Sequence, residues 1–328
     1  MRAQLDSDSH TGVATFGKRP LLTDPDQLDE WRPDAAVIGA PWDDNTSNRP
    51  GARFGPRALR AATYVPGSYH LDLELDIFEH LEVVDYGDAL VAGGLWDVSY
   101  AAIHDRVAEV AGRGIIPLVI GGDHSITWPS ATAVAEHHGF GRVGIIHFDA
   151  HADTADQVGG NLASHGTPMR RLIDSGAVPG RNFVQLGLRG YWPPADVVAW
   201  MRAQGMRTHF MQEIWERGIT AVLDDAIAEA LDGPDAIYIS LDIDVLDPGF
   251  APGTGTPEPG GMAPVDLLRA VRRIALETNV VAMDVVEVCP AYDWADTTVN
   301  NAHRAVWEVL AGIAARRRDQ AATLQQRS

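Results

Sequence analysis

Ile145-Ile146-His147-Phe148-Asp149-Ala150-His151-Ala152-Asp153 is the stretch that decides the fold class of this 328-residue chain. It begins as a short apolar run, which is typical of a strand buried on both faces of a parallel sheet. It ends in Asp149, His151 and Asp153, and side chains at alternate positions of an extended segment point the same way. Open parallel sheets bind their ligands at the carboxyl edge. We therefore expect these three side chains to converge just past the end of the strand.

Two other segments have the same design. The apolar run 116–120 leads through two glycines to Asp123 and His124, and the run 236–241 leads to Asp242 and Asp244. Mixed carboxylate and imidazole ligands suit Mn²⁺, Fe²⁺, Co²⁺, Ni²⁺ or Zn²⁺ better than Ca²⁺ or Mg²⁺. The strand ends are thus predicted to supply six metal ligands, which are His124, Asp149, His151, Asp153, Asp242 and Asp244.

Six ligands are too many for one open catalytic ion, and they suit two ions that share bridging carboxylates roughly 3.5–4 Å apart. Four carboxylates packed without cations would repel one another, and some would have to bind protons. Two divalent cations match the four negative charges. A hydroxide between the ions would be the nucleophile, because metal coordination lowers the pKa of water toward roughly 7.

The composition narrows the class of protein. Hydrophobic residues make up 45% and charged residues 22%, so a sizeable core is expected rather than disorder. The net charge of −19 disfavours nucleic acid as a partner. The single cysteine, Cys289, fits a reducing compartment, and no apolar segment resembles a secretory signal or a membrane span. We predict a cytoplasmic protein without a membrane partner.

Strand and helix patterns alternate along the chain, which predicts a mostly parallel sheet with helices on both faces. The polar residues 1–33 are expected to be either a surface tail or an arm packed on a neighbouring subunit. One domain is expected over 34–318, followed by a tail over 319–328. The strands are predicted near 35–40, 81–86, 116–120, 145–148, 183–188, 206–210, 236–242 and 280–286, and the last helix over Ala302 to Arg316.

Several motifs together resemble the signatures of the ureohydrolase (arginase/agmatinase) family over about residues 35–315. They are Gly121-Gly122-Asp123-His124-Ser125, the segment Asp149 to Asp153, Ser240-Leu241-Asp242-Ile243-Asp244 and Val286-Glu287-Val288. The tract Asp247-Pro248-Gly249-Phe250-Ala251-Pro252-Gly253-Thr254-Gly255-Thr256-Pro257 and the segment Pro290-Ala291-Tyr292-Asp293 resemble the agmatinase-like branch. The resemblance implies a three-layer α/β/α fold with an eight-stranded parallel sheet, shared with deacetylases. It also implies a binuclear centre, usually of manganese, that hydrolyses a guanidinium to urea and an amine.

Motif matching assigns roles to individual residues. One ion would be held by His124, Asp149, Asp153 and Asp242. The other would be held by His151, Asp149, Asp242 and Asp244, so that Asp149 and Asp242 bridge. His165 matches the family's proton-shuttling histidine, and Glu287 matches the carboxylate that holds the guanidinium. We expect Mn²⁺, with Ni²⁺ as the alternative, and a homo-oligomer, because family members are commonly trimers or hexamers.

The substrate end is less like the family pattern. Thr256, in the agmatinase-like tract, is expected to bind substrate. Ala155 stands where agmatinase-like proteins often carry an aromatic residue, and the loop 154–164 contains Asp156 but no arginine or lysine. This loop favours a cationic or neutral substrate tail, so agmatine is the first substrate predicted. Guanidinobutyrate, guanidinopropionate, guanidine and biguanides are the alternatives. Trp42 and Tyr69 are further candidates for lining the pocket.

Two other functions remain open from the sequence. A deacetylase on the same fold would use one zinc ion, and the second-site ligands His151 and Asp244 argue against it. A non-catalytic partner subunit, paired with a paralogue in a hetero-oligomer, is disfavoured by the intact ligand set. Among other polar residues, Asp123 is expected to orient a ligand or cap a helix, and His147 is expected to be a core residue.

Overall fold

The apolar runs form one parallel sheet in the computed structural model, which describes residues 11–62 and 67–327. Residues 1–10 of the predicted arm, 63–66 and Ser328 lie outside the described residues. The strands are β1 (Ala35–Ala40), β2 (Tyr69–His70), β3 (Leu75–Asp76), β4 (Val83–Asp88), β5 (Ile116–Gly121), β6 (Val143–Phe148), β7 (Phe183–Leu186), β8 (Arg207–His209), β9 (Ala236–Asp242) and β10 (Val280–Val286). In the described part of the chain, eight strands form the sheet in the order β4-β1-β5-β10-β9-β6-β7-β8, and β2 and β3 form a separate antiparallel pair.

Helices cover both faces of the sheet, which confirms the predicted three-layer α/β/α fold. They are α1 (Pro25–Trp31), α2 (Gly55–Ala61), α3 (Ile77–His80), α4 (Trp96–Ala111), α5 (Thr127–His138), α6 (Pro168–Asp174), α7 (Ala195–Ala203), α8 (Met211–Arg217), α9 (Ile219–Ala230), α10 (Pro264–Glu277) and α11 (Thr297–Arg327). Side chains of β6 alternate between the two layers: Ile146 and Phe148 join the core under α9, α10 and α11, and Ile145 joins the core under α4 and α5. Alternate side chains of the strand therefore lie in two separate hydrophobic cores, one on each face of the sheet.

The strand order brings the predicted ligand segments to one place. The strands β5, β10, β9 and β6 are neighbours at the centre of the sheet, and all four run in the same direction. Their carboxyl ends lead into the segments that carry His124, Glu287, Asp242 and Asp149. Since parallel strands end at the same edge, these segments meet without any long connection across the sheet.

The described part of the predicted arm, residues 11–33, packs on its own chain. Phe16 and Leu22 are buried, the backbone N–H of Leu22 donates to Asp85 O at 2.8 Å, and the N–H of Phe16 donates to Asp85 Oδ2 at 2.8 Å. Arg60 pairs with the same carboxylate at 2.8 Å. The segment therefore covers the β4 edge of the sheet, which is the edge that would otherwise present unpaired backbone groups.

The last helix is longer than the prediction of 302–316 at both ends. Its start is capped by Asp293, whose carboxylate accepts from the backbone N–H groups of Thr298 at 2.9 Å and Val299 at 3.0 Å. Capping of this kind satisfies donors that have no partner within the helix. Beyond Arg316 the helix continues to Arg327 through Ala, Gln and Arg, which favour helix without needing a buried face. The predicted tail over 319–328 is thus helical up to Arg327.

Buried His303 on α11 is expected to make the fold sensitive to acid. Its ring is tilted against that of Phe16 with the centroids 4.7 Å apart, and it accepts from Trp307 Nε1 at 3.2 Å. Burial, helped by the charge of Arg304, lowers the pKa of His303 from 6.5 to about 4. The folded state then binds fewer protons than the unfolded state. The stabilisation that neutral His303 gives the fold is therefore present above about pH 6.5 and is lost as the pH falls toward 4. At about 1.4 kcal/mol per pKa unit, the loss amounts to about 3 kcal/mol.

The measurement is urea unfolding of metal-free wild type and His303→Gln at about pH 7 and about pH 4. Glutamine keeps an acceptor for Trp307 but does not titrate. We expect the free energy of unfolding of the wild type to fall by about 3 kcal/mol more than that of the variant. Equal losses in the two proteins would contradict this role for His303.

Candidate metal centre and substrate pocket

The side chain of His124 reaches a cluster of carboxylates from other strand ends. Its Nδ1 lies 2.9 Å from Asp153 Oδ2, 3.1 Å from Asp149 Oδ2 and 3.2 Å from Asp242 Oδ2. The turn that delivers His124 passes close to the loop after β1, because a Cβ on Gly122 would lie 1.7 Å from the carbonyl oxygen of Trp42. Glycine is therefore required at this turn, and it places the imidazole over the end of β9.

A second imidazole meets the other side of the same cluster. His151 Nδ1 lies 3.1 Å from Asp244 Oδ2 and 3.5 Å from Asp149 Oδ1. Asp149 thus faces His124 with one oxygen and His151 with the other. The structure brings all six predicted ligands together, in two groups that share Asp149.

The charges of this cluster point to cations. Burial, together with repulsion from Asp244 and Asp149, raises the pKa of Asp242 well above its usual value. Burial would also raise the pKa of Asp149, but the neighbouring imidazoles of His124, His147 and His151 outweigh it and hold that pKa well below its usual value. Burial disfavours a charged His124, yet three carboxylates raise its pKa strongly. A divalent cation can take the place of such a proton, because metal ligands must be deprotonated.

The ligand atoms of this cluster fit metal ions better than protons. Within the described residues, the buried His124 Nδ1 has no hydrogen-bond partner of acceptable geometry, although three carboxylate oxygens surround it. A nitrogen lone pair directed at carboxylates is repulsive unless a cation lies between them. Imidazole nitrogen and carboxylate oxygen are ligands of Mn²⁺, Fe²⁺, Co²⁺, Ni²⁺ and Zn²⁺. The residues present therefore fit a pair of divalent transition-metal ions.

Two residues of the site have a backbone conformation that is unfavourable for side chains other than glycine. Asp153 has φ of 51° and Glu287 has φ of 62°, both in the left-handed region. A non-glycine residue there costs roughly 1–2 kcal/mol. Backbone strain of this kind is concentrated at functional sites, where it aims a side chain that a relaxed backbone would turn away.

Glu287 joins the carboxylate cluster to His165. Its Oε1 accepts from the backbone N–H of His124 at 2.9 Å and contacts His165 Nδ1 at 2.9 Å. The other ring nitrogen, His165 Nε2, accepts from the backbone N–H of Ser47 at 3.1 Å and lies 2.7 Å from Ser47 Oγ. Burial lowers the pKa of His165, but the charge of Glu287 outweighs it and raises that pKa to about 9.

Two buried oxygen atoms at one corner of the site, one of them on Glu287 itself, lack a hydrogen-bond donor among the described residues. Glu287 Oε2 and the hydroxyl of Thr46 are buried and have no hydrogen-bond partner among the described residues. A Cβ on Gly255 would stand 3.3 Å from Glu287 Oε2 and 3.7 Å from Thr46 Oγ1. Unpaired buried polar atoms cost about 1–3 kcal/mol each, so this corner is built for a ligand that brings N–H or O–H donors.

The predicted substrate residues lie in different surroundings. Thr256 Oγ1 is 3.4 Å from Asp244 Oδ2, so it borders the second imidazole group. Ala155 is buried, and its N–H donates to Gly166 O at 3.1 Å. Asp156 is exposed and accepts from Arg171 Nη2 at 2.9 Å, which balances its charge.

The two aromatic candidates also differ from each other. Trp42 is buried beside the Gly122 turn, and its carbonyl accepts from the backbone N–H of Asp123 at 2.8 Å. Tyr69 is half exposed on β2, and its neighbour His70 contacts Glu308 of α11 at 3.1 Å. The structure thus places Trp42, but not Tyr69, next to the residues of the metal centre.

His147 lies in the core, as expected, but it also contacts a ligand. Its Nε2 lies 2.8 Å from Asp149 Oδ2. Gln185 Nε2 donates to Ala152 O at 2.9 Å and lies 3.1 Å from His147 Nδ1. An amide NH₂ group can only donate, so His147 Nδ1 accepts and Nε2–H donates to Asp149. In this tautomer His147 holds a ligand in place and has no lone pair for an ion at Nε2.

Asp123 caps the turn that follows β5, as predicted. Its carboxylate accepts from the backbone N–H groups of Ser125 and Asn45, each at 3.0 Å. Burial, together with the charge of Glu287, raises the pKa of Asp123 to about 7. Asp123 thus joins the loop after β1, which carries Thr46 and Ser47, to the residues beside His124.

The chain is similar in sequence to proteins of known activity. A sequence model of the arginase family matches residues 33–312. The mitochondrial guanidino acid hydrolase of Homo sapiens is 38% identical over 302 residues, which are 92% of this chain and 83% of that protein. The mitochondrial agmatinase of Gallus gallus is 39% identical over 303 residues, which are 91% of this chain and 85% of that protein.

Solved structures give the same result. The proclavaminate amidino hydrolase from Streptomyces clavuligerus has a TM-score of 0.85 at 34% identity, covering 94% of this chain and 100% of that one. The Trypanosoma cruzi formiminoglutamase with Mn²⁺ has a TM-score of 0.79 at 26% identity, covering 86% and 93%. Within residues 11–62 and 67–327 no helix combines the length and the apolar character needed to cross a membrane.

Proposed function

This chain belongs to the arginase family, and we propose that it hydrolyses a guanidino compound to urea and an amine. Members of this family are hydrolases that act on C–N bonds with two metal ions. One observation carries the proposal. The two imidazole–carboxylate groups share Asp149, and the unpaired oxygen of Glu287 lies next to them. A paired-cation site beside a buried carboxylate suits a planar cationic substrate that needs a strong nucleophile.

We assign one ion to His124, Asp149, Asp153 and Asp242. We assign the other to Asp149, His151, Asp242 and Asp244. Mn²⁺ is the proposed metal, supported by its presence in the Trypanosoma cruzi relative, and Ni²⁺ is the alternative because it accepts similar ligands. When bound, the ions supply hydroxide at neutral pH, since they lower the pKa of water to roughly 7.

The chain's own residues bind and orient the substrate. Glu287 Oε2 and Thr46 Oγ1 are the acceptors for guanidinium N–H groups, and two acceptors at fixed positions define the plane of the cation. Gly255 leaves the space that the planar group needs. Thr256, next to Asp244, is proposed to border the same pocket.

His165 is proposed to supply the proton that the leaving amine needs. Its Nδ1 contacts Glu287 Oε1, so a proton held there starts beside the bound guanidinium. In the protonated ring Nε2 also carries a hydrogen, and it donates to Ser47 Oγ 2.7 Å away, which fixes the direction of Nδ1. The raised pKa keeps the ring protonated near neutral pH, and neighbouring metal cations would bring that pKa down toward the working range.

Agmatine is the first substrate proposed, and guanidinobutyrate, guanidinopropionate, guanidine and biguanides are the alternatives. The relatives named guanidino acid hydrolase and agmatinase are about equally similar to this chain, at 38% and 39% identity. Asp156 is paired with Arg171, so it offers less attraction to a cationic tail than a free carboxylate would. The absence of arginine and lysine from 154–164 still favours a tail without negative charge.

A substrate panel tests the proposal. Purified chain loaded with Mn²⁺, and in parallel with Ni²⁺, is incubated with each guanidino compound, and urea release and ions per chain are measured. We expect urea from at least one compound with two ions per chain. No urea from any compound, with two ions bound, would overturn the reaction assigned. One ion per chain would favour a deacetylase, and activity only with a paralogue would favour a partner subunit.

The chain is proposed to work in the cytoplasm as a homo-oligomer, a trimer or a hexamer. The single cysteine is buried next to Gly51, in keeping with a protein that needs no disulfide. Light scattering after size-exclusion chromatography gives the subunit number. A monomeric, fully active protein would contradict the assembly.

A further inference from the structure

Beneath the metal ligands, a row of polar side chains crosses the sheet in register. Backbone pairing aligns Asp284 of β10 with Ser240 of β9, Ser240 with His147 of β6, His147 with Gln185 of β7, and Gln185 with Thr208 of β8. Directly paired residues of neighbouring strands face the same side of a sheet. The first four of these side chains are completely buried. We call these five residues the polar row.

Asp284 is the charged end of the polar row, and hydroxyl groups surround it. Its Oδ2 accepts from Tyr238 OH at 2.7 Å and from Thr127 Oγ1 at 2.7 Å, and its Oδ1 accepts from Ser240 Oγ at 2.9 Å. Placing a carboxylate in the middle of a sheet is unfavourable even when donors surround it. An apolar residue would serve packing better, so the position calls for a further role.

The hydrogen bonds determine which ring nitrogen of His124 carries the proton. A carboxylate only accepts, so the single hydroxyl proton of Ser240 is used on Asp284. Ser240 Oγ then meets His124 Nε2, 3.0 Å away, with a lone pair, and Nε2–H must be the donor. The lone pair of the neutral ring is therefore on Nδ1, the nitrogen that faces Asp149, Asp153 and Asp242. This is the tautomer that can bind a metal ion through Nδ1.

We propose that Asp284 is a positioning residue that acts through Ser240 to hold His124 in the metal-binding tautomer, and so sets the affinity for the ion that His124 binds. The inference rests on the proposed binuclear site. Asp284 touches neither substrate nor ion in this arrangement, since Ser240 and His124 stand between. Partners of metal-bound histidines fix the ring's tautomer and direction, and their loss typically weakens metal binding by about 10–100-fold.

Asparagine at position 284 would reverse the direction of the hydrogen bond between this residue and Ser240. Its NH₂ group can donate to Ser240 Oγ, which frees the serine proton for His124 Nε2. The ring proton then moves to Nδ1, where it blocks the ion. Ser240→Ala acts on the same link in another way, because it leaves Nε2–H buried without an acceptor. The two variants share an expected outcome but not a structural defect.

Tyr238→Phe is the matched control. It also removes a hydroxyl donor from Asp284, at the same buried depth, but it leaves the link from Asp284 to Ser240 and His124 intact. A general loss of packing or of carboxylate stabilisation would affect this variant as much as the other two. Only the proposed link through Ser240 predicts that the metal affinity of Tyr238→Phe differs from that of the other two variants.

The test uses full-length chain at a series of free Mn²⁺ concentrations set by a chelator buffer, with ions per chain as the readout. We expect Asp284→Asn and Ser240→Ala to bind one of the two ions about 10–100-fold more weakly, while binding of the other ion changes little. Tyr238→Phe should bind both ions within about twofold of wild type, well below that range.

Wild-type affinity for both ions in Asp284→Asn and Ser240→Ala would overturn the inference. An equal loss of metal affinity in Tyr238→Phe would overturn it too, because the loss would then be a general structural effect that does not pass through Ser240. A wild-type chain that binds two ions but releases no urea would instead refute the proposed function. The comparison of metal affinities among the variants would still test the role of Asp284. If Asp284→Asn fails to fold, Ser240→Ala carries the same comparison.

Discussion

Replacing Asp149 by asparagine is expected to abolish binding of the ion pair and to lower turnover by about 10³–10⁴-fold, the effect of losing several kcal/mol of stabilisation from the metals. Asp149 is the carboxylate shared by both groups, with Oδ2 toward His124 and Oδ1 toward His151. Asparagine keeps the shape but removes the charge, and only one of its two terminal atoms can bind a cation. One ion therefore loses this ligand, and the other keeps only a neutral oxygen in place of a charged one.

Ions per chain and urea release are measured together for Asp149→Asn. The matched control is Asp235→Asn, the same chemical change at an exposed carboxylate that pairs with Arg142 at the opposite edge of the sheet. The control should keep two ions and wild-type turnover, since exposed pairs contribute little. Two tightly bound ions and near-normal turnover in Asp149→Asn would show that this residue is not the shared ligand.

Glu287→Gln is expected to lower kcat/KM by about 10²–10³-fold, mostly through a higher KM, while both ions stay bound. Truncating the charge of a buried, hydrogen-bonded ion pair costs about 2–5 kcal/mol. Glutamine can still accept at Oε1 from the backbone of His124 and from His165, so the free site keeps its geometry. What it lacks is the negative charge at the oxygen that has no partner within the chain's described residues.

Steady-state kinetics and metal content distinguish this variant from Asp149→Asn, because only Glu287→Gln should separate substrate binding from metal binding. Glu136→Gln, an exposed glutamate that contacts His104, is the control for the same chemical change. Loss of an ion in Glu287→Gln would place Glu287 among the ligands rather than in the substrate pocket. An unchanged KM would remove it from guanidinium binding.

The sheet and the meeting of the six candidate ligands at one edge could be predicted because much of their signal is local. Apolar runs such as 236–241 mark strands in any order along the chain. Parallel strands then guarantee a shared edge. The reason expected for the convergence of Asp149, His151 and Asp153 was wrong, because β6 ends at Phe148, residues 149–153 are not a strand, and Asp153 has a left-handed backbone.

The residues around the ligands could not be found in this way. Asp284, Ser240 and Gln185 come from three strands, and each is a single polar residue in an apolar run, which local pattern cannot tell from a tolerated exception. Their alignment depends on strand order and register, which become visible only in the folded sheet. Ser47 and Thr46 were likewise hidden, because a turn-rich loop shows no periodicity that would point a side chain at His165 or Glu287.

The left-handed backbone at Asp153 and Glu287 has a consequence for evolution in the laboratory. Glycine or asparagine would relax both positions, so selection for heat resistance alone should drift toward them. Each such gain would discard a metal ligand or the substrate's counter-ion. Libraries built from this scaffold should therefore hold both codons constant, since a substitution that relaxes the backbone at either position would remove a side chain that the proposed reaction needs.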